Sequence, residues 1–108
     1  MHKLCRIDIE QSERIYQELM ELAALLKAKH EVRKVYLYGS FARGDFNEGS
    51  DIDLIIVGEF EGRMPERIKK VLDLTSLPIE PLVYTEEEFA EMKHKPFLEE
   101  ILPSAKEL

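Results

Sequence analysis

The sequence predicts an α/β fold around one small sheet. Three apolar segments rich in β-branched residues alternate with amphipathic segments along the 108 residues, and such alternation favours helices layered on a sheet. With 44% hydrophobic and 34% charged residues, the composition is that of a globular domain. We therefore expect residues 1–108 to form a single domain in the order helix, strand, turn, strand, helix, strand, helix, helix.

The first helix is predicted from apolar residues that recur at spacings of three and four, which places them on one helical face. These residues are Ile15, Leu19, Leu22 and Leu26. Asp8 stands three residues before Gln11 and has the spacing of a helix cap. The helix is therefore expected from about Ile9 to Lys29.

Three segments have the composition of strands. Val32 to Tyr38 is rich in β-branched and aromatic residues, Asp51 to Val57 is apolar apart from its two acids, and Ile79 to Tyr84 follows a proline. Between the first two, Asp45 to Ser50 has the Asp, Asn, Gly and Ser content of a loop.

The remaining helices are predicted from their boundary residues. Pro65 suits the first turn of a helix; the residues that this helix is expected to bury are Ile68, Val71 and Leu72. Thr85 and Glu88 have the spacing of a capping box. Pro96 and Pro103 bracket a last short helix.

Charge and composition exclude several classes of function. The net charge of −7 argues against direct binding of nucleic acid, because such proteins usually present a basic face. No apolar run approaches the length that spans a membrane, and the first residues lack the apolar stretch of a signal peptide. Cys5 is the single cysteine, which excludes an internal disulfide and a cysteine-based zinc site. We expect a cytoplasmic protein that does not bind membranes.

Asp51 and Asp53 stand two residues apart at the start of the second predicted strand, which places both carboxylates on one face. Two acids this close repel each other unless a counter-charge is present. Mg²⁺ binds carboxylate and phosphate oxygens and would supply that charge. An isolated Asp-x-Asp pair also has a simpler interpretation, in which Asp51 ends a loop and Asp53 faces water.

Gly39 and Ser40 follow the first predicted strand. Glycine permits a sharp bend and the close approach of a ligand, while the serine hydroxyl and the N–H groups of the turn suit a phosphate. The alternative is an ordinary strand-to-helix turn capped by Ser40. Gly39 and Gly44 have the spacing of a P-loop, but the Lys and Ser/Thr that a P-loop requires are absent.

These segments together resemble the signature of the nucleotidyltransferases of the DNA polymerase β superfamily. The matching residues are Leu37-Tyr38-Gly39-Ser40-Phe41-Ala42-Arg43-Gly44 and Ser50-Asp51-Ile52-Asp53-Leu54. The paired motif at this spacing, twelve residues from Gly39 to Asp51, is far more specific than either half. The length of the chain resembles that of the minimal nucleotidyltransferases, which consist of the catalytic domain alone.

The resemblance implies a nucleotidyltransferase fold, with a small mixed sheet and helices packed mainly on one face. It implies that ATP and two Mg²⁺ ions bind, with Gly39 and Ser40 holding the triphosphate and Asp51 and Asp53 ligating the metals. Glu80 matches the third acid of the family, although many relatives have Asp there. It would bind a metal and accept the proton of the attacking hydroxyl. Its alternative is an exposed acid on an edge strand.

Arg43 is the strong cation within the motif. It either contacts a phosphate or pairs with Asp45.

Minimal nucleotidyltransferases of this kind resemble the antitoxin half of a toxin–antitoxin pair, whose partner is a helical ribonuclease of the HEPN-domain type. The resemblance implies transfer of AMP from ATP to a tyrosine of that partner. Two other functions stay open. One is nucleotidylation of a small molecule, although the relatives that do this have an added helical domain. The other is a non-catalytic module that binds its partner stoichiometrically.

The last predicted helix is expected to contribute to an interface, with a HEPN-like partner or with a second copy of the chain. Apolar residues crowd the segment 89–102, and a domain of this size need not bury all of them. Those residues are Phe89, Met92, Phe97, Leu98, Ile101 and Leu102.

Overall fold

The computed structural model describes residues 2–39, 41–42 and 51–108, with side chains described from residue 13 onward. Within these ranges the helices and strands follow the predicted order, and a short fourth strand is added at the end. The helices are α1 (His2–Lys29), α2 (Met64–Leu72), α3 (Glu86–Met92) and α4 (Pro96–Ile101). The strands are β1 (Val32–Tyr38), β2 (Ile52–Gly58), β3 (Ile79–Tyr84) and β4 (Lys106–Glu107), and a 3₁₀ turn at Leu102–Ser104 links α4 to β4.

The strands form a mixed sheet in the order β3-β2-β1-β4. β1 is antiparallel to both β2 and β4, whereas β2 is parallel to β3. Parallel neighbours need a crossover connection, and α2 provides it between β2 and β3. The mixed sheet that the resemblance implied is confirmed.

One face of the sheet packs against α1 and α2. The apolar repeat of α1 buries Leu19, Leu22 and Leu26 in one cluster with Leu37 of β1, and α2 adds the fully buried Val71. Because strand side chains alternate between the two faces, every second residue of β2 joins this cluster. Those residues are Ile52, Leu54 and Ile56.

The opposite face presents three rows of side chains that run across β1, β2 and β3. The rows are Tyr38–Asp53–Glu80, Tyr36–Ile55–Leu82 and Lys34–Val57–Tyr84. Phe89 of α3 stacks on Tyr36 with ring centroids 5.9 Å apart, and Leu98 of α4 is fully buried in the same cluster. The two longer helices thus lie on one face, as the resemblance implied, and the two short helices cover part of the other. The row that contains the acids stays partly open, since Glu80 is exposed and Asp53 half-buried.

The predicted capping box at the start of α3 is confirmed. The N–H of Glu88 donates to Oγ1 of Thr85 at 3.1 Å, and the N–H of Thr85 donates to Oε1 of Glu88 at 2.9 Å. Both bonds satisfy N–H groups that a helix start leaves without partners inside the helix.

Arg67 of α2 is buried and joins α2 to β3 and α3. Its Nη1 donates to Oε1 of Glu88 at 2.6 Å and to the carbonyl of Val83 at 3.2 Å. Its Nε donates to the carbonyl of Gly62 at 2.9 Å. A buried charge is tolerated when it is paired and hydrogen-bonded in this way.

The outer edge of β3 offers no free N–H group to another strand. In a strand, the backbone N–H groups of every second residue point to the same side. The N–H of Val83 points away from β2 and donates to Sδ of Met64 at 3.2 Å. Ile79 shares this side, and its N–H is taken by the carbonyl of Leu77 at 2.9 Å. Pro81, between them, has no N–H.

Two sequence-based expectations about helices are corrected. α1 begins at His2 rather than near Ile9, so Asp8 lies within the helix and does not cap it. No glycine or proline precedes it to interrupt the helix. Leu72 is 41% exposed rather than buried, because the buried stripe of α2 runs through Arg67 and Val71, which are four residues apart.

The expected interface on the last helix is wrong for Leu98, which is fully buried within this chain, whereas its neighbour Phe97 is 45% exposed.

Across the described residues, no helix combines the length and the apolar character that crossing a membrane requires.

Candidate active site

The three predicted acids meet at the open end of the sheet. Asp53 lies opposite Glu80 in the parallel register and opposite Tyr38 in the antiparallel one, so all three side chains share one face. Asp51 comes directly before β2 begins and is exposed. The N–H of Ile52 donates to the carbonyl of Pro78 at 2.9 Å, and this bond holds the starts of β2 and β3 together. The structure therefore brings Asp51, Asp53 and Glu80 into one cluster.

The carboxylates of this cluster perturb one another. A hydrogen bond with Asp51, together with the charge of Asp51, raises the pKa of Glu80 above its ordinary value. Burial and then the charge of Asp51 raise the pKa of Asp53, while a hydrogen bond with Glu80 lowers it. Like charges held this close favour the binding of a proton or a cation among them.

Tyr38 completes the row and was not assigned to the site from the sequence. Burial, followed by the charges of Asp53, Tyr84 and Glu80, raises the pKa of Tyr38 to about 12, so its phenol is neutral at pH 7. The ring of Phe97 meets it edge-on with centroids 6.2 Å apart. The signal that could have found it is its place directly before Gly39 on β1, the strand antiparallel to the Asp-x-Asp strand.

Gly39 lies against the carboxylate of Asp53. Its φ is +78°, a conformation that favours glycine. A Cβ at this position would collide with Oδ2 of Asp53 and lie 3.3 Å from its Cγ. Both the backbone and the space therefore require glycine, and the turn predicted to hold phosphate sits directly beside a predicted metal ligand.

Two other predicted residues of this turn, Ser40 and Arg43, lie outside the described residues, as does the loop 45–50.

The donor set of the cluster fits a hard divalent cation. Asp51, Asp53 and Glu80 offer only oxygen ligands, which Mg²⁺ prefers. In the part of the chain that the structure describes, no three His, Cys, Asp or Glu side chains are grouped so that they could hold a metal ion by themselves. Phosphate oxygens of a bound nucleotide are the natural further ligands, since Mg²⁺ is commonly shared between carboxylates and substrate phosphates.

Comparison with known proteins identifies the family. The profile of the nucleotidyltransferase domain matches residues 19–106. The chain belongs to this family. The match includes the Gly39 turn, the Asp-x-Asp strand and Glu80, so the resemblance drawn from the two motifs is confirmed.

Two relatives come from Methanocaldococcus jannaschii. "Putative protein adenylyltransferase MJ0604" is 44% identical over 45 residues, which are 40% of this chain and 45% of that protein. "Putative protein adenylyltransferase MJ0141" is 31% identical over 71 residues, 59% of this chain and 69% of that protein. The match with MJ0604 thus spans less than half of that relative's length.

A solved structure shares the fold of this nucleotidyltransferase chain. The crystal structure of a "putative nucleotidyltransferase" from Sulfolobus solfataricus superposes with a TM-score of 0.63 and 26% sequence identity, over 78% of each chain. The mixed sheet with its flanking helices is therefore an arrangement found in this family.

Proposed function

We propose that the protein transfers AMP from ATP to a hydroxyl group of another protein. The observation that supports this most directly is the row Tyr38–Asp53–Glu80, which has Gly39 directly against Asp53 at one side. The turn that is proposed to hold phosphate then adjoins a cluster of carboxylates, and this arrangement suits nucleotidyl transfer. The names of the two M. jannaschii relatives give the same class of reaction.

In the proposed reaction the acceptor oxygen forms a bond to the α-phosphorus of ATP. The bond between the α-phosphorus and the bridging oxygen breaks, and pyrophosphate leaves with that oxygen. Gly39 and, as the resemblance implies, Ser40 would hold the triphosphate, while Asp51 and Asp53 would hold Mg²⁺. Glu80 faces the acceptor and takes the proton of its hydroxyl. Bound Mg²⁺ would offset the negative charge that develops on the phosphate oxygens.

The proposed acceptor is a tyrosine of a HEPN-type ribonuclease, and the proposed role is that of the antitoxin in a cytoplasmic toxin–antitoxin pair. The support for this finer step is the resemblance of the chain to minimal nucleotidyltransferases. Under this proposal the modification inactivates the ribonuclease covalently, so one antitoxin molecule can act on many toxin molecules.

The test incubates the purified chain with a purified HEPN-type ribonuclease, MgCl₂ and ATP labelled at the α-phosphate. We expect the label to stay on the ribonuclease after denaturing electrophoresis, whereas ATP labelled at the γ-phosphate leaves none. EDTA and the Asp53→Asn variant are the controls, and both should abolish labelling.

Two outcomes would contradict the proposal. Tight complex formation without labelling would support the stoichiometric binding module. Labelling of a small hydroxyl compound but of no protein would support the small-molecule reaction.

A further inference from the structure

A basic cleft lies between the start of β1 and helix α3, at the end of the sheet away from the carboxylate cluster. Its volume is about 230 Å³. Of the described residues that line it, one is an acid, Glu86, and three are cations: Arg33, Lys34 and Lys93. Positive charge is therefore concentrated at this place in a chain whose net charge is −7.

A bulge in β1 directs two consecutive cations into this cleft. Successive side chains of a regular strand point to opposite faces of the sheet. In β1 the pairing shifts between Val32 and Lys34, so Arg33 is an extra residue, and both Arg33 and Lys34 line the cleft. Nε of Arg33 lies 3.5 Å from Oε1 of Glu86 on α3, which shows the direction of this side chain. Bulges commonly re-aim a side chain in this way next to functional sites.

The backbone around the bulge is held in an unfavourable conformation. Glu31, directly before β1, has a φ of +52°, which residues other than glycine adopt rarely. Gly58 lies opposite Val32, and a Cβ on Gly58 would stand 2.7 Å from Cα of Val32 and 2.9 Å from the carbonyl oxygen of Glu31. Strain of this kind is concentrated at functional sites. The placement of the two cations is thus imposed by the backbone.

The cations of the cleft are available to a ligand. Within the part of the chain that the structure describes, Lys34 and Lys93 form no ion pair. The side chains of Arg33 and Glu86 are 70% and 48% exposed, and ion pairs this exposed contribute little to stability. An incoming carboxylate can therefore bond to these cations without breaking a strong internal contact.

The inner wall of the cleft is apolar. It contains Val57, which is buried, and Phe89, which is half-buried. Phe89 stacks on Tyr36 with ring centroids 5.9 Å apart, and the ring of Tyr84 lies against it with centroids 6.5 Å apart. Since two rings of this chain engage Phe89, it does not provide the open platform on which a nucleobase stacks. The wall suits an aliphatic side chain.

Charge favours a protein segment over a nucleic acid as the occupant. A nucleic acid carries a dense row of phosphates, which a chain of net charge −7 repels as a whole. A short acidic segment carries few negative charges, and each can meet a cation of the cleft in a charge-assisted hydrogen bond.

We propose that the basic cleft docks an acidic segment of a partner protein, in which carboxylates flank an aliphatic side chain. The carboxylates bond to Lys34, Lys93 and Arg33, and the aliphatic side chain contacts Phe89. Lys34 is four residues from Tyr38 on β1, a distance of about 13 Å along a strand. The docked segment therefore leaves the carboxylate cluster open, and this inference does not depend on the proposed function.

The test titrates the ¹⁵N-labelled protein with the peptide acetyl-Glu-Glu-Leu-Glu-Glu-amide at low salt. We expect amide shifts concentrated at Lys34, Ala90 and Lys93, and these shifts should diminish as NaCl is added, because salt screens exposed charges. The control peptide acetyl-Gln-Gln-Leu-Gln-Gln-amide should produce no such shifts. Shifts that avoid the cleft would overturn the proposal.

The double variant Lys34→Glu/Lys93→Glu should weaken the binding of the acidic peptide about tenfold or more. The matched control is Lys69→Glu/Lys70→Glu, which changes two exposed lysines of α2 that do not line the cleft. All four lysines are exposed, so both proteins should fold, and both changes alter the net charge equally. An equal loss of affinity in the two double variants would show a general effect of charge and refute the site.

Two other outcomes would overturn the choice of partner. Larger shifts of the same amides with a single-stranded oligouridylate than with the acidic peptide would assign the cleft to RNA. Shifts of these amides on dilution of the protein alone, absent from Lys34→Glu/Lys93→Glu, would assign it to a second copy of this chain.

Discussion

Gly39 and Asp53 touch across strands β1 and β2, so closely that even one methyl group on residue 39 would overlap a carboxylate oxygen of Asp53. The two residues come from the two halves of the motif, which are separated by a loop in the sequence. Their contact joins the predicted phosphate turn to the predicted metal ligand. A change at either residue therefore acts on the other.

The substitution Gly39→Ala should lower both stability and nucleotide affinity. The positive φ costs a non-glycine residue about 1–2 kcal/mol, and the new methyl group must displace Asp53. The matched control is Gly62→Ala, at a φ of +88°, where the added Cβ meets the flexible side chain of Glu66. Urea unfolding should show a similar loss in both variants, whereas calorimetric titration with Mg-ATP should show weaker binding in Gly39→Ala alone. Equal ATP affinity in the two variants would contradict a shared site for Gly39 and Asp53.

The substitution Asp53→Asn should abolish transfer without destabilising the fold. Burial and the charge of Asp51 raise the pKa of Asp53 in the folded chain, so its ionised form is disfavoured by folding. Stability therefore falls as pH rises through that raised pKa, and a neutral side chain removes this loss. We expect a Tm at pH 7 equal to or above that of the wild type, with activity reduced at least about 100-fold.

Asp73→Asn is the control, since Asp73 is an exposed acid at the end of α2. Its transfer rate should match that of the wild type. A folded Asp53→Asn protein with nearly full activity would exclude Asp53 from the reaction.

The pair Arg67–Glu88 should make the free energy of unfolding decrease as pH falls into the acid range. The hydrogen bond from Arg67 lowers the pKa of Glu88 below its ordinary value. The contribution of ionised Glu88 to the free energy of unfolding is therefore complete above the pKa of Glu in the unfolded chain, about 4.3. It is lost as pH falls through the lower pKa of Glu88 in the folded chain. Because the Glu88 side chain is 45% exposed, Glu88→Gln should cost only about 0.5–1 kcal/mol at pH 7.

Urea unfolding from pH 7 to pH 2.5 measures the difference in the free energy of unfolding between the wild type and Glu88→Gln. This difference should fall to zero at pH 2.5. The control is Glu87→Gln, a change at an exposed neighbouring acid, whose difference from the wild type should not vary with pH in this way. A difference for Glu88→Gln that grows on acidification would refute the assigned role of the pair.

Leu98→Ala should destabilise the chain by about 2–5 kcal/mol, as expected for a fully buried leucine. Phe97→Ala should cost at most about 1 kcal/mol, because Phe97 is 45% exposed and its ring makes only an edge contact with Tyr38. Thermal unfolding of both variants at one protein concentration distinguishes core from surface. A larger loss for Phe97→Ala would reverse the assignment of α4.

Elements whose formation depends on the pattern of side chains could be predicted from the sequence. Strands β1 and β3 have the predicted bounds, because β-branched and aromatic residues favour strands and a glycine or proline marks a boundary. The capping box of α3 was also visible, since the spacing of Thr85 and Glu88 specifies its two hydrogen bonds.

Features that depend on contacts between residues far apart in the sequence could not be predicted from it. β4 consists of Lys106 and Glu107, two exposed charged residues that pair with Leu37 and Tyr36 of β1, and nothing in the type of their side chains indicates a strand. Arg67 was missed as a buried residue because its partners Val83 and Glu88 lie 16 and 21 residues away. The acids of the candidate site were predicted from the motif, whereas the place of Tyr38 in their row depends on the pairing of β1 with β2.

The blocked edge of β3 also has a consequence for the behaviour of the protein in a crowded solution. An exposed strand with free N–H groups acts as a template on which other chains can add, and repeated addition leads to fibrils. In this protein β3 is an outer strand of the sheet, with β2 as its neighbour on one side only. Pro81 and the bonds made by Ile79 and Val83 remove the N–H donors that the addition of another strand at this edge would need, so the edge of β3 disfavours fibril growth.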